Sequence, residues 1–248
     1  MVVGETISQG RDYRPSLFTV VIKTLSYQPI AGNSRWYNPL RCVRPLRGNF
    51  LLPIGTANAV GLTNPGYRWW CEKVAPSVDF SWQRLVGSVS PEGSTVDQFA
   101  EMVSRLSQFR FVALEINPFC PNVTGYSAEK VVEYTKAAKE ATPKPLIFKV
   151  SAAQDVSAII PKVEGKIEAI SINAVPWKLA FPEERSPLAH LDGGAVSGKP
   201  AQKRNWNLLQ WIRVISPDIP VIGPDIWEYQ DIARLEELGA SASSFGAL

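Results

Sequence analysis

Histidine is almost missing from this chain: His190 is the single one in 248 residues. A Ser/His/Asp triad would have to use that residue, and a metal site built from several histidines is excluded. Cysteine is nearly as scarce. Cys42, Cys71 and Cys120 are an odd number at wide spacing, with no C-x-x-C pair, which argues against zinc and against a disulfide framework. Such usage suits a reducing, cytoplasmic compartment. No apolar run approaches the roughly 18 residues of a spanning helix, and residues 1–11 lack the basic and apolar regions of a signal peptide, so no membrane partner is expected. Excess charge is also missing: a net +3 with 20% charged residues is too mild to imply nucleic acid. Repeats, low-complexity tracts and linkers are absent. A chain of this length, 45% hydrophobic, suits one domain over residues 1–248, a size common among α/β barrels.

What the chain does have is alternation. Short apolar, β-branched runs at residues 19–22, 84–88, 111–116, 146–150, 169–172, 221–222 and 241–245 predict seven strands. Helical patterns lie between them. Thr95 and Gln98 form a capping box ahead of Phe99, Met102, Val103 and Leu106. Residues 127–140 place Val131, Tyr134 and Ala138 on one face, and residues 207–215 do so with Leu208, Trp211, Ile212 and Ile215. A last helix over 228–238 stops at Gly239, a good C-cap residue. Strands alternating with helices imply a parallel sheet, and the architecture expected is a TIM-type (β/α)8 barrel with incomplete ends. The stretch 33–53 reads as a loop, with Arg35, Arg41, Arg44 and Arg47 beside Trp36 and Tyr37. At so mild a net charge it reads as a solvated loop or a subunit contact, leaving a homodimer open.

The octapeptide Glu115-Ile116-Asn117-Pro118-Phe119-Cys120-Pro121-Asn122 sets a potential base and two amides at the C-terminal mouth of a buried strand, where parallel folds keep their chemistry. Pro121 keeps the following loop out of helix and spaces Cys120 and Asn122 from Asn117. Lys23 and Lys149 each end an apolar strand. A lysine there loses hydration unless it meets an anion, so each should face negative charge or snorkel to solvent.

In order along residues 18–246, the chain resembles the dihydroorotate dehydrogenase family. Val20-Val21-Ile22-Lys23-Thr24-Leu25, with Pro29 and Gly32-Asn33 behind it, is similar to that family's strand-end lysine and its x-P-x-x-G-N element. The run from Asn58 through Gly61, Leu62 and Asn64 to Gly66 resembles its substrate loop, and Glu115 to Asn122 its E-L-N-x-S-C-P-N segment. Further matches are Pro145 to Val150, Ile172-Asn173 and Gly193-Gly194-Ala195-Val196-Ser197-Gly198-Lys199-Pro200. Ordered matches are more specific than any single motif.

The resemblance implies a flavin-binding barrel that oxidises dihydroorotate to orotate, with FMN as hydride acceptor and a small molecule as its partner. It implies Cys120 as the base, which puts the chain nearer the soluble class. Lys23 would stand between flavin and substrate, and Lys149 at the flavin's pyrimidine edge. Asn58, Asn117, Asn122 and Asn173 would surround the substrate ring, with the backbone of Gly61 and Leu62 on its carboxylate. Asn117, Gly194, Ser197, Gly198, Gly223 and Gly246 would contact the cofactor. The chain departs from the family where phosphate is expected. Gly223-Pro224-Asp225-Ile226 is one residue shorter than the family's G-x-G-G-I and adds a carboxylate, and Gly246-Ala247 lacks the hydroxyl of G-T. Ala174 stands where the family has a serine. The family's first strand has no counterpart before Gly4, nor its last helix after Leu248. Two other readings stay open: a barrel that binds without turnover, and a related flavin-dependent pyrimidine reductase such as a dihydrouridine synthase.

Overall fold

The computed structural model describes residues 18–35, 37–48, 52–118 and 127–245. All seven expected strands are present, as β1 (Thr19–Val21), β4 (Arg84–Val89), β5 (Ala113–Ile116), β6 (Leu146–Val150), β7 (Ala169–Ile172), β10 (Val221–Gly223) and β11 (Ala242–Ser243). They lie side by side in that order, every pairing parallel. The sheet curls until its edges approach: Phe18, just before β1, meets Phe245, just after β11, edge to face at 6.0 Å. This is a TIM-type barrel, incomplete among the described residues.

Successive strand residues face opposite ways, and each face has its own composition. Val89, Leu114, Ile116, Leu146, Phe148, Val150 and Ile170 are buried in one continuous apolar core. It is shared with the helices α1 (Val96–Ser107), α2 (Ala128–Ala141), α3 (Val156–Val163), α4 (Lys199–Ile215) and α5 (Gln230–Glu237). The alternate residues Ser88, Glu115, Lys149 and Ser171 are polar and point inside the curl. Helix starts follow their caps: Thr95 and Gln98 complete the expected capping box on α1, and Ser127 accepts from Lys130 N–H on α2.

Three expectations change. Residues 33–53 are not all loop, because β2 (Val43–Arg47) pairs antiparallel with β3 (Pro53–Asn58). With β9 (Ala195–Gly198) and β8 (Val175–Pro176) they form a second sheet, in the order β2-β3-β9-β8. Pro45 and two arginines put β2 outside the usual look of a strand, and these residues suit an edge that must not pair further. Secondly, α4 begins eight residues before the expected Asn207. Thirdly, Trp211 is half exposed rather than core, its indole N–H donating to Ser157 Oγ at 3.1 Å.

Candidate active site

The small sheet roofs the C-terminal mouth of the large one, and a cavity of about 160 Å³ lies between them. Lys23 and Thr24 reach it from the end of β1, Asn117 from β5, Asn173 and Ala174 from β7. From the roof come Asn58, Val60, Gly61, Leu62 and Ala195. Six residues predicted to hold substrate or cofactor, far apart in sequence, therefore share one cavity: Lys23, Asn58, Gly61, Leu62, Asn117 and Asn173. Cys120, Asn122 and Gly246 lie outside the described residues.

The turn at Gly61–Leu62 is held open by its neighbours. Both residues have positive φ, 69° and 56°, a conformation glycine takes freely and leucine does not, so surrounding bonds must enforce it. Asn33 Nδ2 donates to Ala59 O at 2.9 Å, and Asn64 Nδ2 to Leu62 O at 2.7 Å. Asn64 Oδ1 also accepts from the backbone of Ser26 and Gly66, fastening the turn to the segment after β1. Asn64 is thus a positioning residue, and its Asn-Pro-Gly context is the sequence signal for it.

Beneath the cavity, Glu115 is buried at 2% exposure. It accepts from Lys149 Nζ at 3.2 Å, from Ser88 Oγ at 2.9 Å and from Ser171 Oγ at 2.9 Å. The anion expected opposite Lys149 is therefore Glu115, which is engaged below the cavity and does not line it. An ionised carboxylate only accepts, so it sets the direction of the whole chain of bonds. Ser88 spends its hydrogen on Glu115, so Thr24 Oγ1 donates to Ser88 Oγ at 2.9 Å. Thr24 in turn accepts from Asn117 Nδ2, and Asn117 Oδ1 from Asn173 Nδ2, both at a long 3.4 Å. Asn173 Oδ1 faces the N–H of Ala174 at 2.9 Å. The cavity's amides are oriented from below.

At the mouth of β10 a second polar cluster forms around Asp225. Its Oδ1 accepts from Gly198 N–H at 3.1 Å and its Oδ2 from Asn205 Nδ2 at 2.7 Å. The same Nδ2 donates to Asn173 O at 3.0 Å, joining this cluster to the cavity. Asn205 is fully buried on the apolar face of α4, beside Leu208, Leu209 and Ile212. A polar residue at that spacing was the signal for it, but it fell before the expected start of the helix. The three described glycines predicted at the cofactor are packed against protein. A methyl on Gly194 would lie 2.5 Å from Asn58 O, on Gly198 2.7 Å from Gly55 Cα, and on Gly223 2.8 Å from a Leu235 methyl. Ser197 sits in β9 opposite Thr56.

Burial pushes the Asp225 carboxyl up from 3.8 to about 6, despite its bonds to Asn205 and Gly198. A raised carboxyl binds its proton more readily folded than unfolded, so this cost is present above pH 6 and fades as pH falls through 6 towards 4. Asp225→Asn should therefore stabilise the protein by about 1–2 kcal/mol at pH 7, part of the roughly 3 kcal/mol such a shift represents. Near pH 4 the gain should vanish. Urea unfolding of both proteins at the two pH values checks this, and an equal gain at both would contradict it.

Among the described residues, no three of His, Cys, Asp and Glu are placed to hold a metal, and no helix is long and apolar enough to cross a membrane.

Comparison with known proteins gives a consistent result. A family model described as "Dihydroorotate dehydrogenase" matches residues 9–247. The catalytic subunit of dihydroorotate dehydrogenase B (NAD(+)) from Geobacter metallireducens is 33% identical, over 92% of this chain and 73% of that protein. The subunit of the same name from Thermoanaerobacter pseudethanolicus is 28% identical, over 99% of this chain and 82% of its own length. The chain spans 66% of the like-named subunit from Parabacteroides distasonis, at 30% identity. A solved structure described as ligand-free type DHODH from Eimeria tenella aligns over 92% of this chain and 71% of that one, with a TM-score of 0.68 at 16% identity, a likeness of fold. Matched by the family model over nearly its whole length, the chain belongs to the dihydroorotate dehydrogenase family.

Proposed function

We propose that the protein oxidises dihydroorotate to orotate in this cavity, as a cytoplasmic enzyme of pyrimidine biosynthesis. The observation that carries the reading is the convergence of Lys23, Asn58, Asn117, Asn173 and the Gly61–Leu62 backbone on one small space. The substrate is a planar ring with amide edges and a carboxylate. Asparagine amides offer both donors and acceptors while staying neutral, so they orient the ring without disturbing its proton chemistry. With Asn117 Oδ1 engaged by Asn173 and one N–H by Thr24, a second N–H of Asn117 remains for a ring carbonyl. Lys23 and the backbone of the Gly61–Leu62 turn suit the carboxylate.

Oxidation removes a proton from one ring carbon and a hydride from its neighbour. Cys120, as thiolate, takes the proton; an ordinary thiol near 8.5 needs only modest help from nearby positive charge to do so. A flavin, when bound, supplies the hydride acceptor. The two ends of that cofactor fit unequally. Asn117 and the Lys149–Glu115 pair, close under the cavity, suit the hydrogen-bonding edge of a flavin ring. The residues at the mouth of β10 do not fit the phosphate of FMN, because Asp225 already takes the Gly198 N–H and places its own charge there. The test is anaerobic mixing of the flavin-loaded protein with dihydroorotate. Bleaching of the flavin with formation of one orotate per flavin is expected, and an unchanged flavin spectrum would end the proposal.

A further inference from the structure

β10 and β11 are the last two strands of the curled sheet, and in barrels of this type the loops after the last two strands, with a helix N-terminus, gather phosphate with bare N–H groups. Here that corner is rich in acceptors. Asp225, with φ of 63°, turns its carboxylate onto the N–H of Gly198, the residue that caps the 17-residue α4. Pro200, in the first turn, removes another donor. Asn205 is 0% exposed, and its Oδ1 has no hydrogen-bond partner among the described residues. The loop is fixed in this arrangement from several sides. Gln202 Nε2 donates to Asp225 O at 2.9 Å, Trp206 Nε1 to Pro224 O at 3.1 Å, and Asp231 Oδ2 accepts from the backbone of Trp227 and Glu228 at 2.7 and 2.8 Å.

We propose that Asp225 stands in for the cofactor's phosphate, so that the site takes a flavin with an uncharged, hydroxyl-bearing side chain, of the riboflavin type, in preference to FMN. This rests on the flavin reading above and deepens it. A phosphate dianion offers no donors and would meet a carboxylate at contact distance in a partly buried corner, where like charges are poorly screened. Its natural N–H partner is already occupied. Hydroxyl groups have hydrogens to give, and an ionised carboxylate holding two bonds retains acceptor capacity for them. The acid that excludes phosphate is thus a suitable partner for a polyol.

The full chain, freed of flavin, is titrated with riboflavin and with FMN, following the quenching of flavin fluorescence. Riboflavin is expected to bind at least tenfold more tightly. Asp225→Asn keeps the shape and removes the charge, and asparagine accepts a positive φ; it should tighten FMN by tenfold or more while weakening riboflavin, which loses its charged acceptor. Asp225→Gly, also compatible with that φ, should act in the same direction and covers the event that the amide variant misfolds. Tighter binding of FMN than of riboflavin by the unaltered protein would overturn the inference and leave the flavin reading standing. Equal tightening of both flavins in the variants would overturn it too, since charge would then not be the discriminator. Binding of neither flavin would overturn the inference and the flavin reading together.

Discussion

Replacing Cys120 with alanine is expected to slow flavin reduction by dihydroorotate about 10²–10⁴-fold, the usual contribution of a positioned base, while orotate binding changes little. Asn117 lines the cavity only three residues before Cys120. The substrate's proton has to leave from one face of the ring, and among the described residues that line the cavity the one titratable side chain is Lys23, a cation rather than a ready base. Single-turnover mixing separates this step from product release. Unchanged reduction in the variant would remove Cys120 from the mechanism. A loss of orotate binding in parallel with the rate would instead make the thiol a packing residue.

Lys149→Met should lower global stability by about 3 kcal/mol, the lower end of the range for breaking a buried pair, because the lysine keeps 23% exposure while Glu115 has almost none. Removal leaves a carboxylate at 3% side-chain exposure with two serine hydroxyls and no cation. Replacing both members, as Glu115→Gln with Lys149→Met, should recover much of that loss, since no uncompensated charge then remains. Chemical denaturation of the two single variants and the pair gives the coupling directly. Additive losses would show that Glu115 and Lys149 do not act together. The pair also reaches the cavity, because Glu115 sets the direction of the bonds through Ser88 and Thr24 to Asn117.

The parallel sheet was legible because buried parallel strands are short apolar runs, and β4 to β7 each carry one between polar breaks. The capping box at Thr95 and Gln98 was legible because it is a local signal. The small sheet was not, since β3 pairs with β9 across some 140 residues and neither strand looks apolar: one holds Gly55, the other Ser197 and Gly198. Those two glycines meet backbone to backbone, a requirement visible only once the strands are paired. Three of the four expected asparagines, Asn58, Asn117 and Asn173, line one cavity, and ordered resemblance pointed to them because it preserves spacing to strand ends. Asp225 stood out as a departure from that pattern. Its partners Asn205 and Gln202 did not, because the first two turns of α4 carry Lys199, Pro200, Lys203 and Arg204 and present no apolar periodicity. The burial of Glu115 was not legible, because it depends on Ser88, Lys149 and Ser171 from three other strands.

One cavity, assembled from five distant segments, is expected to recognise a planar pyrimidine carboxylate. Calorimetric titration of the protein with orotate, before and after loading with flavin, tests it most directly. One orotate per chain should bind, and Asn58→Ala, Asn117→Ala and Asn173→Ala should each weaken it by about five- to a hundredfold, the loss of one or two hydrogen bonds, with the fold intact by circular dichroism. Absence of saturable binding in either state, or binding that all three variants leave unchanged, would contradict the account.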